Sequence, residues 1–582
     1  MSRVCVAAGL VALAAACTEP EVGTSPYAHE SPPPPPPLTD RLARVRFLGG
    51  SGVDRIDDVV VRDGTIYVVG GTSSPDFPTT DGSTLDAGAP AGCSACPFAG
   101  FVAALDLDGN ILWSRLIDSP WYDRLTAVAI GAGSLYVAGT SGERPGLAGW
   151  RGGASAERGA QDGLVCALDP TDGAVEACRY VGGTGPGGVS DLVLDLSDGA
   201  PIVALTTVAG EDLHLDPAYA AAFAGRHRAT AAGADGVVLR LATDLAAADS
   251  LRWATYVGGS GDEDGTPSVA VDGDRIYYLG ATSSTDVPVP GGWRTTAPAG
   301  ANAFLAALSA DGRTLSYGTY VGGDGDDLVG ANGLTSWGGG VTVGITTTST
   351  DLPLSFSWQP SYGGDGGSGC GSGDVWLAEI DPIQSGAASL GSRTYLGGAA
   401  GDHLGGLAWT QTLGGVAVVA TGHTQSFDFP IRDAAQGALE GSCTSTPGTA
   451  DAFATVGDPG RSLQGSTYLG GSGLDRGTAV ASLGYGDGLV VVGDTASPAF
   501  PAQNPGGGTL GGPDDGFVAI FRPYTPGGGG GGDGGGADAG PVAGDADEPP
   551  GGCCSASAPP ASGLGLATLV LGLLVRRRPR PR

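Results

Sequence analysis

The segment Tyr468-Leu469-Gly470-Gly471-Ser472-Gly473 decides the fold, because shortened forms of it recur along the chain. Five further copies keep an aromatic residue, an aliphatic residue and two glycines: Phe47–Gly50, Tyr180–Gly183, Tyr256–Gly259, Tyr320–Gly323 and Tyr395–Gly398. A degenerate copy, Leu116-Ile117-Asp118, fills the one long gap, so successive copies lie 64 to 76 residues apart. A regular long period of this kind indicates one structural unit repeated seven times.

Each unit contains four short segments rich in β-branched and aromatic residues. In the first unit three of them are Asp58–Val61, Thr65–Val69 and Phe101–Leu105, and the turn Asp106–Asn110 leads to the fourth. Residues of this kind between Gly/Asp turns are typical of β-strands. No stretch of comparable length shows helical periodicity, so the sequence predicts an all-β protein.

The two ends of the repeated region complement each other. Arg44–Leu48 is a fourth strand without its third, and Phe517–Phe521 is a third strand without its fourth. Pairing them completes a seventh unit and leaves no open sheet edge. We therefore predict a single seven-bladed β-propeller over residues 41–523, closed by pairing the N-terminal with the C-terminal strand. The units resemble SBBP repeats, a family named for a seven-bladed β-propeller.

Residues 1–17 have the features of an export signal. Arg3 gives a positive start, Val4–Ala16 is a short apolar run, and small residues precede Cys17. The segment resembles a bacterial lipoprotein signal, in which the cysteine is lipidated and becomes the mature N-terminus. An ordinary signal peptide cleaved near Ala16 is the alternative.

The C-terminal segment 553–582 begins with Cys553 and Cys554 and continues with the apolar run Leu564–Val575 and an arginine cluster. It resembles the MYXO-CTERM sorting signal of myxobacterial surface proteins, which implies processing at one of the two cysteines. A short permanent anchor is the alternative.

Two linkers are predicted beside the propeller: a proline-rich one at 18–40 and a disordered Gly/Asp-rich one at 524–552. Together with the terminal signals they predict an exported protein of the outer membrane or cell surface. Membrane contact would then be made only through the lipid or the C-terminal anchor.

Composition limits the possible partners. The 29 basic residues, all arginine, face 61 acidic ones, which gives a formal net charge of -32. Nucleic-acid binding requires a basic surface and is disfavoured, whereas cation binding stays open.

Acidic residues follow the glycine pairs. Five positions beyond the first glycine stand Asp54, Glu263, Asp327, Asp402 and Asp475. In a propeller these carboxylates could ring the mouth of the central channel and bind Ca²⁺ or a cationic ligand, since hard cations prefer several oxygen ligands. The alternative is that each carboxylate caps its own turn by accepting backbone N–H bonds.

Three disulfides are predicted, as expected for an oxidising compartment. Cys166 and Cys178 flank a turn symmetrically and should pair across a hairpin. The other two pairs lie on long loops between second and third strands: Cys93 with Cys96, and Cys370 with Cys443.

Those long loops share one face with the glycine pairs, and this long-loop face is where we expect binding residues. No His-Glu-x-x-His or Gly-x-Ser-x-Gly motif occurs. The sequence therefore favours a monomeric, surface-anchored binding or adhesion module for a glycan, matrix or envelope partner. An extracellular polymer-degrading hydrolase or lyase with a carboxylate site at the channel mouth, and a non-catalytic display protein, are the alternatives.

Overall fold

A computed structural model describes residues 42–522 apart from 86–97, 120–121, 132, 143–149, 152–161, 183–186, 208–222, 228–233, 248, 331, 365–370, 413–414, 442–448, 459–461, 485–487 and 501–508. Within these ranges the regular structure is β-strand, with one 3₁₀ turn at Gly386–Ser389. The described part of the chain contains no helix of the length and apolarity needed to cross a bilayer.

The strands form seven sheets, which are the blades of a propeller. The strands of the first three blades are β2 (Asp54–Arg62), β3 (Thr65–Thr72), β4 (Ala99–Asp106) and β5 (Ile111–Ile117); β6 (Arg124–Ile130), β7 (Leu135–Ser141), β8 (Trp150–Arg151), β9 (Asp162–Leu168) and β10 (Val175–Val181); β11 (Gly188–Leu194), β12 (Pro201–Thr207), β13 (Phe223–His227), β14 (Asp235–Leu241) and β15 (Leu251–Val257). Those of blades four to six are β16 (Ser268–Asp272), β17 (Arg275–Thr282), β18 (Asn302–Ser309) and β19 (Leu315–Val321); β20 (Asp327–Leu328), β21 (Leu334–Trp337), β22 (Gly340–Thr347), β23 (Asp374–Ile380) and β24 (Leu390–Leu396); β25 (Asp402–Thr412), β26 (Gly415–Thr424), β27 (Asp451–Asp458) and β28 (Ser462–Leu469). Blade seven joins β29 (Asp475–Ser482), β30 (Leu489–Thr495) and β31 (Asp515–Phe521) to the first strand of the chain, β1 (Leu42–Leu48).

The ring closes as the sequence predicts. Strand β1 pairs antiparallel with β31, with Val45 opposite Ala519 and Phe47 opposite Phe517. Val45 and Phe517 are both buried in the apolar layer between blades six and seven. The pairing thus gives β31 a partner on both sides, since β30 occupies its other edge.

Seven apolar layers hold the blades together, one between each pair of neighbours. Between the first and second blades, for example, Val69 and Val102 pack with Val137 and Leu164. The corresponding layers at the other six junctions are equally continuous in the described residues. This explains the near-uninterrupted apolar runs of the second and third strands, because both faces of each central strand are buried.

Three blades depart from the four-strand unit. Short strands β8 and β13 add to the outer edges of blades two and three, parallel to β10 and β15. In blade five the innermost strand is broken into β20 and β21, which both pair with β22.

The hairpin disulfide is confirmed. Cys166 and Cys178 face each other in the β9–β10 register and are bonded. The other cysteines for which pairing, lipidation or processing is predicted lie outside the described residues: Cys17, Cys93, Cys96, Cys370, Cys443, Cys553 and Cys554.

Candidate functional site

The five predicted carboxylates do not line the channel mouth. Their residues are at most 2% exposed, and each carboxylate accepts hydrogen bonds at the junction where it starts a blade. Asp402 is representative, because its Oδ2 accepts bonds from the Gly398 N–H at 2.7 Å and the Ser426 hydroxyl at 2.8 Å. Equivalent bonds from a glycine N–H and one or two hydroxyl groups reach the other four acids: Asp54, Glu263, Asp327 and Asp475.

The donors around these carboxylates fit turn capping and do not fit a calcium ring, because in each acid N–H and O–H groups point their hydrogens at a carboxylate oxygen that a cation would need. Among the described residues no cluster of three or more His, Cys, Asp or Glu is arranged to hold a metal. The carboxylates lie beneath the surface because each reaches back to the N–H of the second glycine. We therefore do not propose this ring as a calcium site.

A second buried acid stands beside several of these caps. A Cβ placed on Gly397 would lie 2.6 Å from Asp374 Oδ1 and 2.8 Å from Asp402 Oδ2. Gly49 is flanked in the same way by Asp54 and Asp515. In these two units the first glycine of the pair is therefore required by the close approach of two carboxyl groups.

Burial raises the pKa of the capping acids, because a charged carboxylate is poorly solvated there. The pKa of Asp402 is raised to about 7, with the neighbouring Asp374 contributing a smaller repulsion. Burial also raises the pKa values of Asp327 and Asp475 to about 6, and that of Asp451, the second acid beside Gly470, to about 7.

A sixth acid caps a turn in the same way, but counting five positions from the first glycine of each pair does not find it. Asp123 is 1% exposed and accepts a 2.6 Å bond from the Ser119 N–H, and burial raises its pKa to about 6. It stands six positions beyond Ile117 instead of five, because the degenerate copy carries one extra residue. The sequence signal is an Asp shifted by one position.

A second set of polar residues encircles the central channel, a few positions after the capping acids and at the start of each innermost strand. In five blades the register of this strand shifts by one residue, a β-bulge, and the extra residues are Asp57, Thr126, Ser190, Gly405 and Thr478. Thr266 and Asn332 hold the equivalent places before β16 and β21. β-Bulges often lie next to binding or active sites, because they redirect a side chain out of the pleat. We call these seven residues the bulge ring.

All seven residues of the bulge ring line one cavity of about 780 Å³. Its wall also contains Thr140 and Thr206 at the ends of second strands and Asp262 and Asp264 in a glycine-pair link. The cavity therefore opens on the long-loop face, at the mouth of the channel, and we call it the channel mouth.

The one cation among the described residues of this wall is paired. The Arg124 guanidinium bonds both carboxylate oxygens of Asp57, with Nε at 2.7 Å, and this contact raises the arginine pKa above its usual value. The bulge ring consequently carries one negative charge, balanced by an adjacent arginine, and is otherwise neutral.

Two further acids surround the channel but serve packing. Asp58 accepts the Val128 N–H at 2.8 Å, and Asp191 accepts the Val269 N–H at 2.7 Å, so each bonds the next blade. Burial raises both pKa values, that of Asp191 to about 6. Neither lines the channel mouth, whose described wall contains no histidine, cysteine or glutamate.

Two tryptophans of the long loops between second and third strands, Trp293 and Trp358, are engaged in packing. The Trp358 Nε1–H donates to the Asp458 carbonyl of the next blade at 2.7 Å. The Trp293 ring is covered by the Arg294 guanidinium, 4.9 Å from its centroid.

No protein-family model matches the chain, and no curated protein matches it. Solved structures with similar folds include the quinohemoprotein alcohol dehydrogenase from Comamonas testosteroni, at 12% identity and a TM-score of 0.38 over 83% of this chain and 77% of that one. A europium-containing methanol dehydrogenase aligns at 13% identity and a TM-score of 0.34 over 80% of this chain and 81% of that one. Similarity at this level transfers no function, and the fold rests on the strand pairing described above.

Proposed function

We propose that the protein is a non-catalytic binding module of the cell surface that takes a neutral glycan at its channel mouth. The observation that carries the proposal is the bulge ring. Six of its seven positions carry a polar side chain, and all seven line one cavity.

The chemistry of the ring suits a polyhydroxylated ligand. The hydroxyl groups of Thr266 and Ser190 can both donate and accept hydrogen bonds, as sugar hydroxyls do. The charged pair Asp57 with Arg124 adds acceptors and donors without a net charge, and Asp262 and Asp264 make the channel mouth acidic. A chain with a formal charge of -32 would repel strongly acidic polymers, so a neutral glycan is favoured over an acidic one.

The surface location rests on the sequence. Residues 1–17 resemble a lipoprotein signal and residues 553–582 resemble a MYXO-CTERM sorting signal, which together imply anchoring outside the cytoplasm. The Cys166–Cys178 disulfide fits an oxidising compartment. A glycan of the matrix or envelope is then the accessible partner.

The test is calorimetric titration of the full chain with soluble neutral oligosaccharides and with uronic-acid oligosaccharides. We expect saturable binding of a neutral oligosaccharide, unchanged by EDTA because no metal is involved. Ser190→Trp and Thr266→Trp should abolish it, since each places an indole in the channel mouth.

Thr314→Trp is the matched control, because it makes the same change at an exposed turn on the opposite face. Equal binding by the blocked variants and the control would overturn the site. Cleavage of the oligosaccharides during the titration would instead support the hydrolase or lyase alternative.

A further inference from the structure

A second cavity, of about 510 Å³, lies on the face opposite the long loops, where blades five and six meet. Its wall is built from the β21–β22 turn Trp337–Gly340, the β23–β24 hairpin around Asp381, and Trp409 on β25. We call it the short-turn pocket.

Two indoles form its aromatic part. Trp337 is 47% exposed, which is unusual for so large an apolar side chain, and Ile383 beside it is 63% exposed. Trp409 is half-buried, and its Nε1–H is buried without a hydrogen-bond partner among the described residues. A buried indole N–H usually finds an acceptor, so this donor indicates an acceptor supplied by a ligand.

The pocket is acidic. Glu379 and Asp381 line it, and the described wall contains no arginine or histidine. Among the described residues each carboxylate gives one oxygen to the protein backbone: Glu379 Oε2 accepts the Ser392 N–H at 3.3 Å, and Asp381 Oδ1 accepts the Ile383 N–H at 2.9 Å. The remaining oxygen of each acid is available to a cation.

The turn that carries Trp337 is held in place before any ligand binds. Gly338 and Gly339 have positive φ angles of 64° and 93°, as a tight hairpin turn requires. The Gly339 N–H also donates to the Asp272 carboxylate of blade four, and the Ser336 hydroxyl donates to the Val271 carbonyl at 2.9 Å. A fixed aromatic wall lowers the entropic cost of binding.

We propose that the short-turn pocket binds an arginine side chain of a peptide or protein partner. A guanidinium stacks on an indole and pairs with carboxylates through its fork of N–H donors, which matches Trp337 with Glu379 and Asp381. The peptide carbonyl next to that arginine supplies the acceptor for the Trp409 Nε1–H. This site is independent of the glycan site, since it lies on the other face.

The experiment titrates the full chain with the blocked tripeptide acetyl-Gly-Arg-Gly-amide and follows both tryptophan fluorescence and the indole Nε1–H resonance of Trp409. We expect saturable binding, a downfield shift of that resonance, and much weaker binding of the glutamine analogue. Trp337→Ala and Glu379→Gln should each weaken binding about tenfold, which corresponds to about 1.4 kcal/mol.

Phe356→Ala is the control for loss of an exposed aromatic residue outside the pocket, because Phe356 is 75% exposed. It should bind as the wild type does. Equal affinity for the glutamine tripeptide, unchanged binding in Trp337→Ala, or no saturation at millimolar peptide would each overturn the proposal.

Discussion

The side-chain amide of Asn332, in the fifth blade, donates a 3.2 Å hydrogen bond to the backbone carbonyl of Thr478, in the seventh. The same Nδ2 lies 3.4 Å from the carbonyl of Asp57 in the first blade. Both acceptors are bulge residues, so their carbonyls face the channel instead of the neighbouring strand. One side chain thus ties three blades together across the centre of the ring.

Asn332→Ala should therefore reduce the free energy of unfolding by about 1–3 kcal/mol, because it leaves channel carbonyls without a donor. The measurement is urea unfolding followed by tryptophan fluorescence. Asn110→Ala is the control: its amide bonds Asp106 in an exposed hairpin, and we expect a loss of about 0.5 kcal/mol. Equal losses would contradict a cross-channel role.

Gly397→Ala should destabilise the propeller, because the new methyl group would meet two buried carboxyl groups at under 3 Å. Overpacking of this kind costs about 1–3 kcal/mol. Gly437→Ala is the matched control, since a Cβ there has nothing within 4 Å. The comparison is made by thermal unfolding, and a Gly397→Ala variant as stable as the control would contradict the paired-carboxyl arrangement.

Stability should fall as pH rises from about 4 to about 7. The pKa of Asp402 is about 7 in the folded chain, above its ordinary value of 3.8, so the folded state binds more protons than the unfolded one across this window. The stabilisation is complete below the unfolded pKa and is lost as pH rises through the folded pKa. Asp402→Asn should remove this part of the pH dependence.

The measurement is urea unfolding of wild type and Asp402→Asn at half-unit steps between pH 4 and 8. The difference in unfolding free energy between them should change by up to about 1.4 kcal/mol per pH unit. A pH-independent difference would show that Asp402 does not titrate in this range.

Deletion of residues 42–48 should expose one edge of β31 and cause association. The unpaired strand would present a row of free N–H and C=O groups to other copies. Size-exclusion chromatography at several concentrations should show concentration-dependent oligomers. Deletion of residues 1–41 alone, which keeps β1, is the control and should leave the elution volume concentration-independent.

Much of the fold could be predicted because the evidence for it is periodic. The glycine pairs indicated the number of blades. The incomplete units at Arg44–Leu48 and Phe517–Phe521 indicated that the first and last strands pair to close the ring. The Cys166–Cys178 bond followed from symmetry about one turn. These features depend on local pattern, which a single sequence displays.

The site was less accessible to sequence reasoning. The sequence located the capping acids along the chain. Whether each carboxylate is buried or faces the channel depends on the direction of its side chain, which points toward the second glycine. The bulge ring was missed, although its members lie eight to ten positions after the first glycine of each unit. A polar residue in a strand indicates an exposed face of the pleat, and nothing in the pattern distinguishes a bulge from ordinary alternation.

The pairing of β1 with β31 also determines when the last blade of the propeller can fold. Val45 and its partner Ala519 are separated by almost the whole propeller, so the contact can form only after the last blade has left the ribosome. Contacts so distant in sequence slow folding, while the entropy of closing the ring grows only with the logarithm of its length. The first strand must therefore wait without a partner until Ala519 and the rest of β31 have been synthesised.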